Sequence, residues 1–437
     1  MPALFDPFLQ RTFQEDKTIL TKTKVPIATI SASYKEDTKR LHGYPHNEVE
    51  TDVVFSRAHY SMALGFLITA GGGSIDATKA WMVDPTNYVS SADWKNISFT
   101  EVVGKTIARH SLLKKVKDGI DRFGRQKLPI LGSITPPLLY LTGHIQRPIV
   151  SFHIAAGNIL AGQGKTVVQV VTDPHVREEY VEYAHLPHCH YCVFDAKTKL
   201  EFLEIARYQN KQVNPARVHI TGPPIDPRII AARKHKKPWR NGVLKLCITT
   251  GGLGTNKQEI LEVLEQLLPE LRRRQSPYQL LVYAGTHQDI YDSVLELAKK
   301  EHVAVGNQTD KAAKLRVLYH PQLVDANELL IQYGFPWADG FITKPSGDMA
   351  YDAVAAGCFL YTLSEWGEWE HSVWEVFSQK NIARKLELEH VVAQLEVLTS
   401  AHGKAQSWVE QAIRSAQTIE PLFLHGCEEI LEVCKRL

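Results

Sequence analysis

Short apolar runs alternate with segments of helical period along most of this 437-residue chain. Alternation of this kind predicts strands joined by helices, and therefore parallel sheets that are covered by helices on their faces. A chain of this length suits two such domains better than one. The predicted strands lie at 25–32, 79–84, 147–152, 166–172, near 190–194 and in 218–229, and then at 243–249, 278–284, 339–343 and 358–362.

A segment rich in proline and positive charge separates the two sets of strands, at 223–242. This composition is typical of a linker, so we predict a first domain at 1–222 and a second at 243–404. The remaining residues, 405–437, predict a helical segment that packs back across the domains.

The composition and net charge argue against several classes of function. Apolar residues make up 44% and charged residues 22% of the chain, as in folded soluble proteins. The net charge of +2 argues against nucleic-acid binding driven by overall charge. Six cysteines in a chain this long indicate reduced thiols in a cytoplasmic protein. The most apolar segment, 128–145, contains Pro136 and Pro137, so we predict a buried strand or loop there and not a membrane span.

Two glycine-rich segments are predicted to be structural. The sequence "AGGGS" at 70–74 follows a helical segment and precedes a strand, so its glycines are expected to end the helix. The sequence "GQGKT" at 162–166 looks like the end of a phosphate-binding P-loop. However, Ile159 stands where that motif needs its first glycine, and the segment leads into a strand instead of a helix.

A third glycine-rich segment, "TGGLGTN" at 250–256, has the opposite polarity, because it leaves a strand and enters a helix. Backbone N–H groups and the positive end of the helix dipole converge at such a junction, which suits a phosphate. A second strand, turn and helix follow at 338–357. Two such loops open at the carboxyl edge of a parallel sheet, where α/β proteins bind nucleotides. We therefore predict phosphates at the first loop and ribose hydroxyls at Asp352 on the second helix.

The segments "GGLGTN" and "ITKPSGDMAYDAVAAG" resemble the C-terminal domain of GT-B glycosyltransferases of family 28. That family includes the diacylglycerol glycosyltransferases, such as monogalactosyldiacylglycerol synthase, and the N-acetylglucosaminyltransferase that forms lipid II. The chain departs from the family pattern at Ser346, usually Gly, and at Asp352, usually Glu. The resemblance implies an α/β fold of the GT-B class, with two Rossmann-like parallel-sheet domains that face each other across a cleft.

The resemblance also implies a donor site for a UDP-sugar, with no cofactor and no bound metal. The segment 366–375 departs from the family's sugar-contacting motif, and its three tryptophans can either stack on a sugar or pack a surface helix. The donor sugar therefore stays open. The expected donor-binding residues are Gly251, Gly252, Gly254, Thr255, Lys344, Pro345, Ser346, Gly347, Asp352, Gly367 and Glu368.

The first domain is expected to bind the acceptor. The segments "IVSFHIAAG" and "VVQVVTD" are similar to two strands of the family's first domain and place His153 on the acceptor side. The helix that carries His59 arrives only after an insertion behind the first strand. Activation of a hydroxyl needs a base near neutral pH, and an unperturbed histidine, with a pKa of about 6.5, suits this. His59 is the first candidate for this base, and Asp173 is the second.

The predicted function is inverting transfer of a hexose from a UDP-sugar to a hydroxyl acceptor, which we expect to be lipid-linked. The basic amphipathic segment 104–127 predicts peripheral association with an anionic membrane, although it can also be a solvated helix face. Two other functions stay open. A nucleotide-sugar 2-epimerase would use Glu368 and Glu370 as acid and base, and a non-catalytic member would only bind a nucleotide or lipid.

The segment "HLPHCHYC" at 185–192 has the C-x-x-C spacing of a zinc site at Cys189 and Cys192. A structural zinc site usually takes its second pair of ligands from a separate segment, and no clear second pair is present. A strand here would also point neighbouring side chains to opposite faces. We therefore expect no metal.

Overall fold

The computed structural model describes residues 7–34, 52–89, 129–234, 236–365, 367–401 and 406–437. The chain divides into two compact units, of which the first is Met1–Pro227 with Leu422–Leu437 and the second is Arg228–Pro421. This division falls inside the segment predicted as a linker, which also contains a short helix. It also divides the terminal segment 405–437 at Pro421.

The first unit contains one larger sheet and a two-stranded ribbon. Their strands are β1 Val25–Ala28, β2 Ala32–Ser33, β3 Val53–Val54, β4 Ala80–Val83, β5 Ile149–Ser151, β6 Val167–Val170, β7 Cys189–Val193 and β8 Val218–Ile220. The larger sheet has the order β4-β1-β5-β6-β7-β8, and all of its strands are parallel. The ribbon pairs β2 with β3 in antiparallel fashion and so brings the two ends of the insertion behind the first strand together.

Helices connect these strands, as the alternation of apolar runs predicts. They are α1 Pro7–Lys22, α2 Arg57–Ala70, α3 Pro129–Thr142, α4 Ile154–Gly162 and α5 Ala196–Tyr208, with 3-10 turns at Pro85–Tyr88, Glu178–Val181 and Pro215–Arg217. Helix α2 ends at the "AGGGS" segment, where Gly72 and Gly73 have φ values of +83° and +99°. The "GQGKT" segment leads from α4 into β6. Both structural predictions are therefore confirmed.

The prediction of a buried strand or loop at 128–145 is wrong, because helix α3 occupies most of this segment. Ile134, Leu138 and Leu141 are buried at helical spacing in the core of the first unit. Burial of this apolar face outweighs the cost of Pro136 and Pro137 inside the helix. Across the residues that the structure describes, no helix has both the length and the apolar character needed to cross a bilayer.

The second unit contains a sheet of seven parallel strands. They are β9 Leu244–Thr249, β10 Tyr278–Gly285, β11 Val305–Gly306, β12 Leu315–Tyr319, β13 Gly340–Thr343, β14 Phe359–Thr362 and β15 Ala383–Lys385. Their order is β11-β12-β10-β9-β13-β14-β15. After β9 the chain adds β10 to β12 on one side of this strand, and it then reverses and adds β13 to β15 on the other side. Ligands of open α/β sheets bind at such a reversal, outside the carboxyl ends of the strands.

The remaining helices belong to the second unit, except for Pro227 at the start of α6 and for the last helix, which belong to the first unit. They are α6 Pro227–Arg233, α7 Lys257–Arg272, α8 Gln288–Lys300, α9 Leu323–Leu329, α10 Met349–Ala355, α11 Glu368–Gln379, α12 Val391–Thr399, α13 Trp408–Gln417 and α14 Gly426–Lys435. A π-helical turn spans Leu330–Gly334, and 3-10 turns span Leu388–His390 and Pro421–Phe423. The core of this unit packs β9, β10 and α7 around residues such as Leu246, Leu264 and Leu280.

Candidate functional site

The third glycine segment lies where the sequence predicts, between the end of β9 at Thr249 and the start of α7 at Lys257. Within it, the N–H of Gly254 donates to the carbonyl of Gly251 at 2.9 Å and closes a tight turn. Gly254 has a φ of +65°, in the left-handed region that glycine adopts without a steric penalty. The turn therefore favours a glycine at this position.

His287, which follows β10, orients the glycine loop. Its Nε2 lies 3.3 Å from the carbonyl oxygen of Gly251 and 3.1 Å from that of Gly252. Because a carbonyl oxygen can only accept, Nε2 carries the proton in both contacts. In a trans peptide the N–H points opposite to the C=O. The N–H groups of Gly252 and Leu253 therefore point away from His287.

The second loop, 345–347, joins β13 to α10 at the same edge of the sheet. The hydroxyls of Thr249 and Thr343 form a hydrogen bond of 2.7 Å that ties the ends of β9 and β13 together. Ser346, where the family pattern has Gly, donates its hydroxyl to Asp348 at 2.7 Å and accepts from the N–H of Met349 at 3.3 Å. The parallel pairing of β9 and β13 thus makes the two predicted loops neighbours.

Lys344, the first residue after β13, lies directly on the glycine loop. A Cβ on Gly251 would stand 2.6 Å from Cε of Lys344, so the lysine side chain packs closely against this glycine. The ammonium of Lys344 forms an ion pair with the carboxylate of Glu370. The two side chains are only 14% and 1% exposed.

The first turn of α7 is linked to the loop that precedes α11. Asn256, at the N-cap of α7, makes no side-chain capping bond and instead donates its amide to the carboxylate of Glu259. The same carboxylate accepts from the N–H of Ser364 at 3.3 Å. The Asn256 side chain therefore leaves the first N–H groups of α7 to other partners. Neither Asn256 nor Glu259 was predicted from the sequence.

Asp352 is buried in the first turn of α10, with 4% of its surface exposed. Its backbone N–H donates to the carbonyl of Asp348 at 2.9 Å. Thr255, another predicted donor-binding residue, donates its hydroxyl to the side-chain oxygen of Asn256 at 3.0 Å. The predicted roles of Asp352, of Thr255 and of the 345–347 turn stay predictions.

The segment that departs from the family's sugar-contacting motif forms the start of α11. Gly367 is its N-cap, and the ring of Trp369 fills the place that a Cβ of Gly367 would take. Trp374 stacks on His371 with ring centroids 5.5 Å apart. Both tryptophans therefore have packing partners within the second unit, whereas Trp366 lies outside the described residues. Glu368, the first residue of α11, is exposed.

In the first unit, two predicted histidines meet at the carboxyl edge of the sheet. Nε2 of His59, near the start of α2, lies 3.2 Å from the hydroxyl of Thr172, which follows β6. The rings of His59 and His153 are edge to face, with centroids 4.7 Å apart. His153 caps α4 by accepting at Nδ1 from the N–H of Ala155 at 3.1 Å. The insertion behind the first strand therefore does not keep His59 away from the sheet edge.

Thr172 and the predicted second base, Asp173, lie beside further polar groups. The hydroxyl of Tyr180 is 3.2 Å from that of Thr172, and burial raises the pKa of Tyr180 to about 12. His175 pairs with Glu201 at 2.8 Å, and this hydrogen bond, together with the charge of Asp173, raises the pKa of His175. Asp173 is half-buried. This edge of the sheet thus holds several titratable groups.

The C-x-x-C segment forms strand β7, and Cys189 and Cys192 are both buried. His190 contacts His219 of β8, with Nδ1 and Nε2 3.3 Å apart. Within the described ranges, the structure contains no group of three or more His, Cys, Asp or Glu residues that could hold a metal ion.

No protein-family model matches this chain, and no curated protein sequence matches it. Solved structures do resemble it. A variant of Os79 from O. sativa in complex with UDP aligns with a TM-score of 0.52 and 9% identity, over 94% of this chain and 100% of that one. MurG from Acinetobacter baumannii aligns with a TM-score of 0.48 and 11% identity, over 94% of this chain and 100% of that one.

The UDP-GlcNAc 2-epimerase from Neisseria meningitidis bound to UDP-GlcNAc aligns with a TM-score of 0.45 and 11% identity, over 70% of this chain and 82% of that one. At these identities the likeness concerns the fold alone. The chain has two parallel-sheet α/β domains of the GT-B class, so the predicted fold class is confirmed. Membership of family 28 stays a prediction.

Proposed function

We propose that this chain is a glycosyltransferase that uses a nucleotide sugar as donor. The observation that carries the proposal is the glycine loop, whose carbonyls contact His287 so that the N–H groups of Gly252 and Leu253 face the opposite side. These groups lie in the loop that leads into the 16-residue helix α7. Departure of a nucleoside diphosphate develops negative charge on its β-phosphate, which N–H groups and a helix dipole stabilise.

The donor is a UDP-sugar in this proposal, and the sugar is a hexose. The diphosphate lies on the 251–255 loop and the 345–347 turn, and Gly367 and Glu368 contact the sugar. Transfer occurs by direct displacement, so the anomeric centre is inverted. His59 takes the proton from the acceptor hydroxyl, with Asp173 as the second candidate. The contact of His59 with Thr172 at the sheet edge supports this role.

Asp352 holds the ribose in this proposal, since a carboxylate can accept from both hydroxyls at once. We therefore expect Asp352→Ala to weaken UDP binding about 5- to 100-fold, because an unpaired buried group typically costs about 1–3 kcal/mol. A 2′,3′-dideoxy analogue of UDP should bind both proteins almost equally. Calorimetric titration of both ligands provides the measurement. Equal weakening of the two ligands would show that Asp352 acts through the fold.

The acceptor is lipid-linked in this proposal, and the protein is cytoplasmic and peripherally bound to the membrane. The proposed membrane association depends on the basic segment 104–127. This segment lies outside the described residues, so its sequence alone supports the proposal. It contains eight Lys or Arg residues and only two Asp or Glu residues, with apolar residues between them. Each such cation near an anionic surface contributes about 1 kcal/mol.

We expect the protein to co-sediment with anionic vesicles at low salt and to be released at high salt. The charge reversal of Lys114, Lys115 and Lys117 to Glu should abolish this binding, and neutral vesicles serve as the control. A wild-type chain that ignores anionic vesicles at low salt would contradict the membrane proposal. A soluble sugar or a protein would then be the better acceptor class.

The function itself is tested by incubation with a panel of nucleotide sugars, with and without lipid extract. Release of nucleoside diphosphate that depends on the lipid supports transfer. Loss of the sugar's configuration without any acceptor would support a 2-epimerase with Glu368 and Glu370 as acid and base. Binding without turnover would support a non-catalytic protein. Either of the last two outcomes contradicts the proposal.

A further inference from the structure

A buried ion pair lies beside the proposed phosphate site of the second unit. Glu370, in the first turn of α11, is buried. Its partner is Lys344, which follows β13, so the pair links two segments that both flank the site. A buried charge is stable only when it is paired, and the loss of either partner leaves an uncompensated charge.

The position of Lys344 relates this pair to the glycine loop. Nζ of Lys344 lies 3.6 Å from the place of a Cβ on Gly251, and Cε lies 2.6 Å from it. The ammonium therefore stands at the loop whose N–H groups would hold a phosphate. A phosphate on that loop and the carboxylate of Glu370 are both anions within reach of the same ammonium.

Two anions that bind one cation compete, because contact with the first reduces the attraction available to the second. A diphosphate that contacts Lys344 has to share the ammonium with Glu370 or displace it. The carboxylate also repels the diphosphate directly through the poorly screened interior. Both effects lower the affinity of the site for anionic ligands and leave the affinity for a neutral nucleoside unchanged.

We propose that Glu370 is a competing internal ligand for Lys344 that limits the affinity of this site for nucleoside diphosphates. This inference rests on the proposed function and adds a regulation of the same site. In the free protein Lys344 binds Glu370, and in the complex the diphosphate takes over part of this contact. The pair re-forms when the diphosphate leaves, which favours release of the product.

Glu370→Gln tests this inference, since glutamine keeps the shape of the side chain and removes its charge. We expect UDP to bind about tenfold more tightly, because the diphosphate then supplies the missing partner of Lys344. Uridine, which has no phosphate, should bind as it does to the wild-type chain. The unfolding temperature of the ligand-free variant should fall. In a Lys344→Met background, Glu370→Gln can remove only the direct repulsion, so it should tighten UDP binding less than it does in the wild-type chain.

The matched control is Glu375→Gln, which removes a carboxylate from the same helix that pairs with His371 at 3.6 Å. It should leave UDP binding as it is. Glu370→Asp serves as a second variant if Glu370→Gln does not fold. It keeps the charge on a shorter side chain, and we expect a smaller tightening of UDP binding.

Weaker UDP binding by Glu370→Gln would overturn the inference and show that Glu370 instead holds Lys344 in place for the phosphate. An equal change for UDP and uridine would also overturn it, because a general change in the fold affects both ligands. The proposed function would survive either result. Absence of UDP binding by both the wild-type chain and Glu370→Gln would refute the proposed function and the inference together.

Discussion

Gly254→Val should abolish UDP binding, with a loss of affinity of at least about 100-fold, while the second unit stays folded. Gly254 has a φ of +65° and is buried in the turn that its N–H closes onto Gly251. A non-glycine residue costs about 1–2 kcal/mol in this conformation, and a β-branched one is especially disfavoured. The strained loop would shift, and the N–H groups that face the phosphate would lose their arrangement. Calorimetric titration of UDP measures the effect.

Gly164→Val is the matched control for this prediction. Gly164 has a similar φ of +73° and lies in the "GQGKT" segment, with open space around the position of an added Cβ. The substitution introduces comparable backbone strain outside the proposed donor site. We expect a modest loss of stability and unchanged UDP affinity. If Gly254→Val binds UDP like the wild-type chain, the assignment of the loop to phosphate is wrong.

The second large effect is expected for His59→Ala, which should reduce transfer to the acceptor about 10²- to 10⁴-fold. The ring of His59 lies at the carboxyl edge of the first sheet, with Nε2 3.2 Å from the hydroxyl of Thr172 and the ring against His153. Removal of a general base slows the chemical step and leaves donor binding in the second unit unchanged. The measurement compares acceptor-dependent UDP release with UDP affinity for the same variant.

His219→Ala provides a control in the same unit. His219 is half-buried on β8 and contacts His190, so its loss should affect stability more than turnover. If His59→Ala keeps most of the activity, His59 is not the base. Asp173→Asn then tests the second candidate, which follows the same strand as Thr172.

Local patterns explain which parts of the fold could be predicted. The strand, glycine loop and helix around Gly254 form one continuous stretch with clear periodicity, and so do β13, the 345–347 turn and α10. Strands β11 and β15 have only two and three residues, and exposed Val305 in β11 leaves no apolar run to recognise. Helix α3 was missed because Pro136 and Pro137 are read as helix breakers when the tertiary burial of its apolar face is unknown.

The less predictable parts of the site depend on contacts between distant residues. His287 orients the carbonyls of Gly251 and Gly252 from the end of the next strand, and Glu370 reaches Lys344 from a helix three elements later. No local spacing signals such partners. The sequence indicates His287 by one local feature only. This histidine comes shortly after a strand that neighbours the glycine loop.

The pairing of β2 with β3 is another non-local feature. It closes the insertion behind β1 and allows α2 to begin near the sheet edge. The sequence suggested His59 only by resemblance, across that insertion. The pairing explains why the length of the insertion does not prevent His59 from reaching Thr172 and His153.

Titration of the wild-type chain with UDP tests the central claim most directly, because the claim places a nucleoside diphosphate on the glycine loop of the second unit. We expect saturable binding of one UDP per chain with a dissociation constant in the micromolar range, about −6 to −8 kcal/mol. Uridine should bind far more weakly, since it lacks the phosphates that the N–H groups contact. Absence of saturable binding up to about 1 mM UDP, or equal affinity for uridine and UDP, would contradict the account.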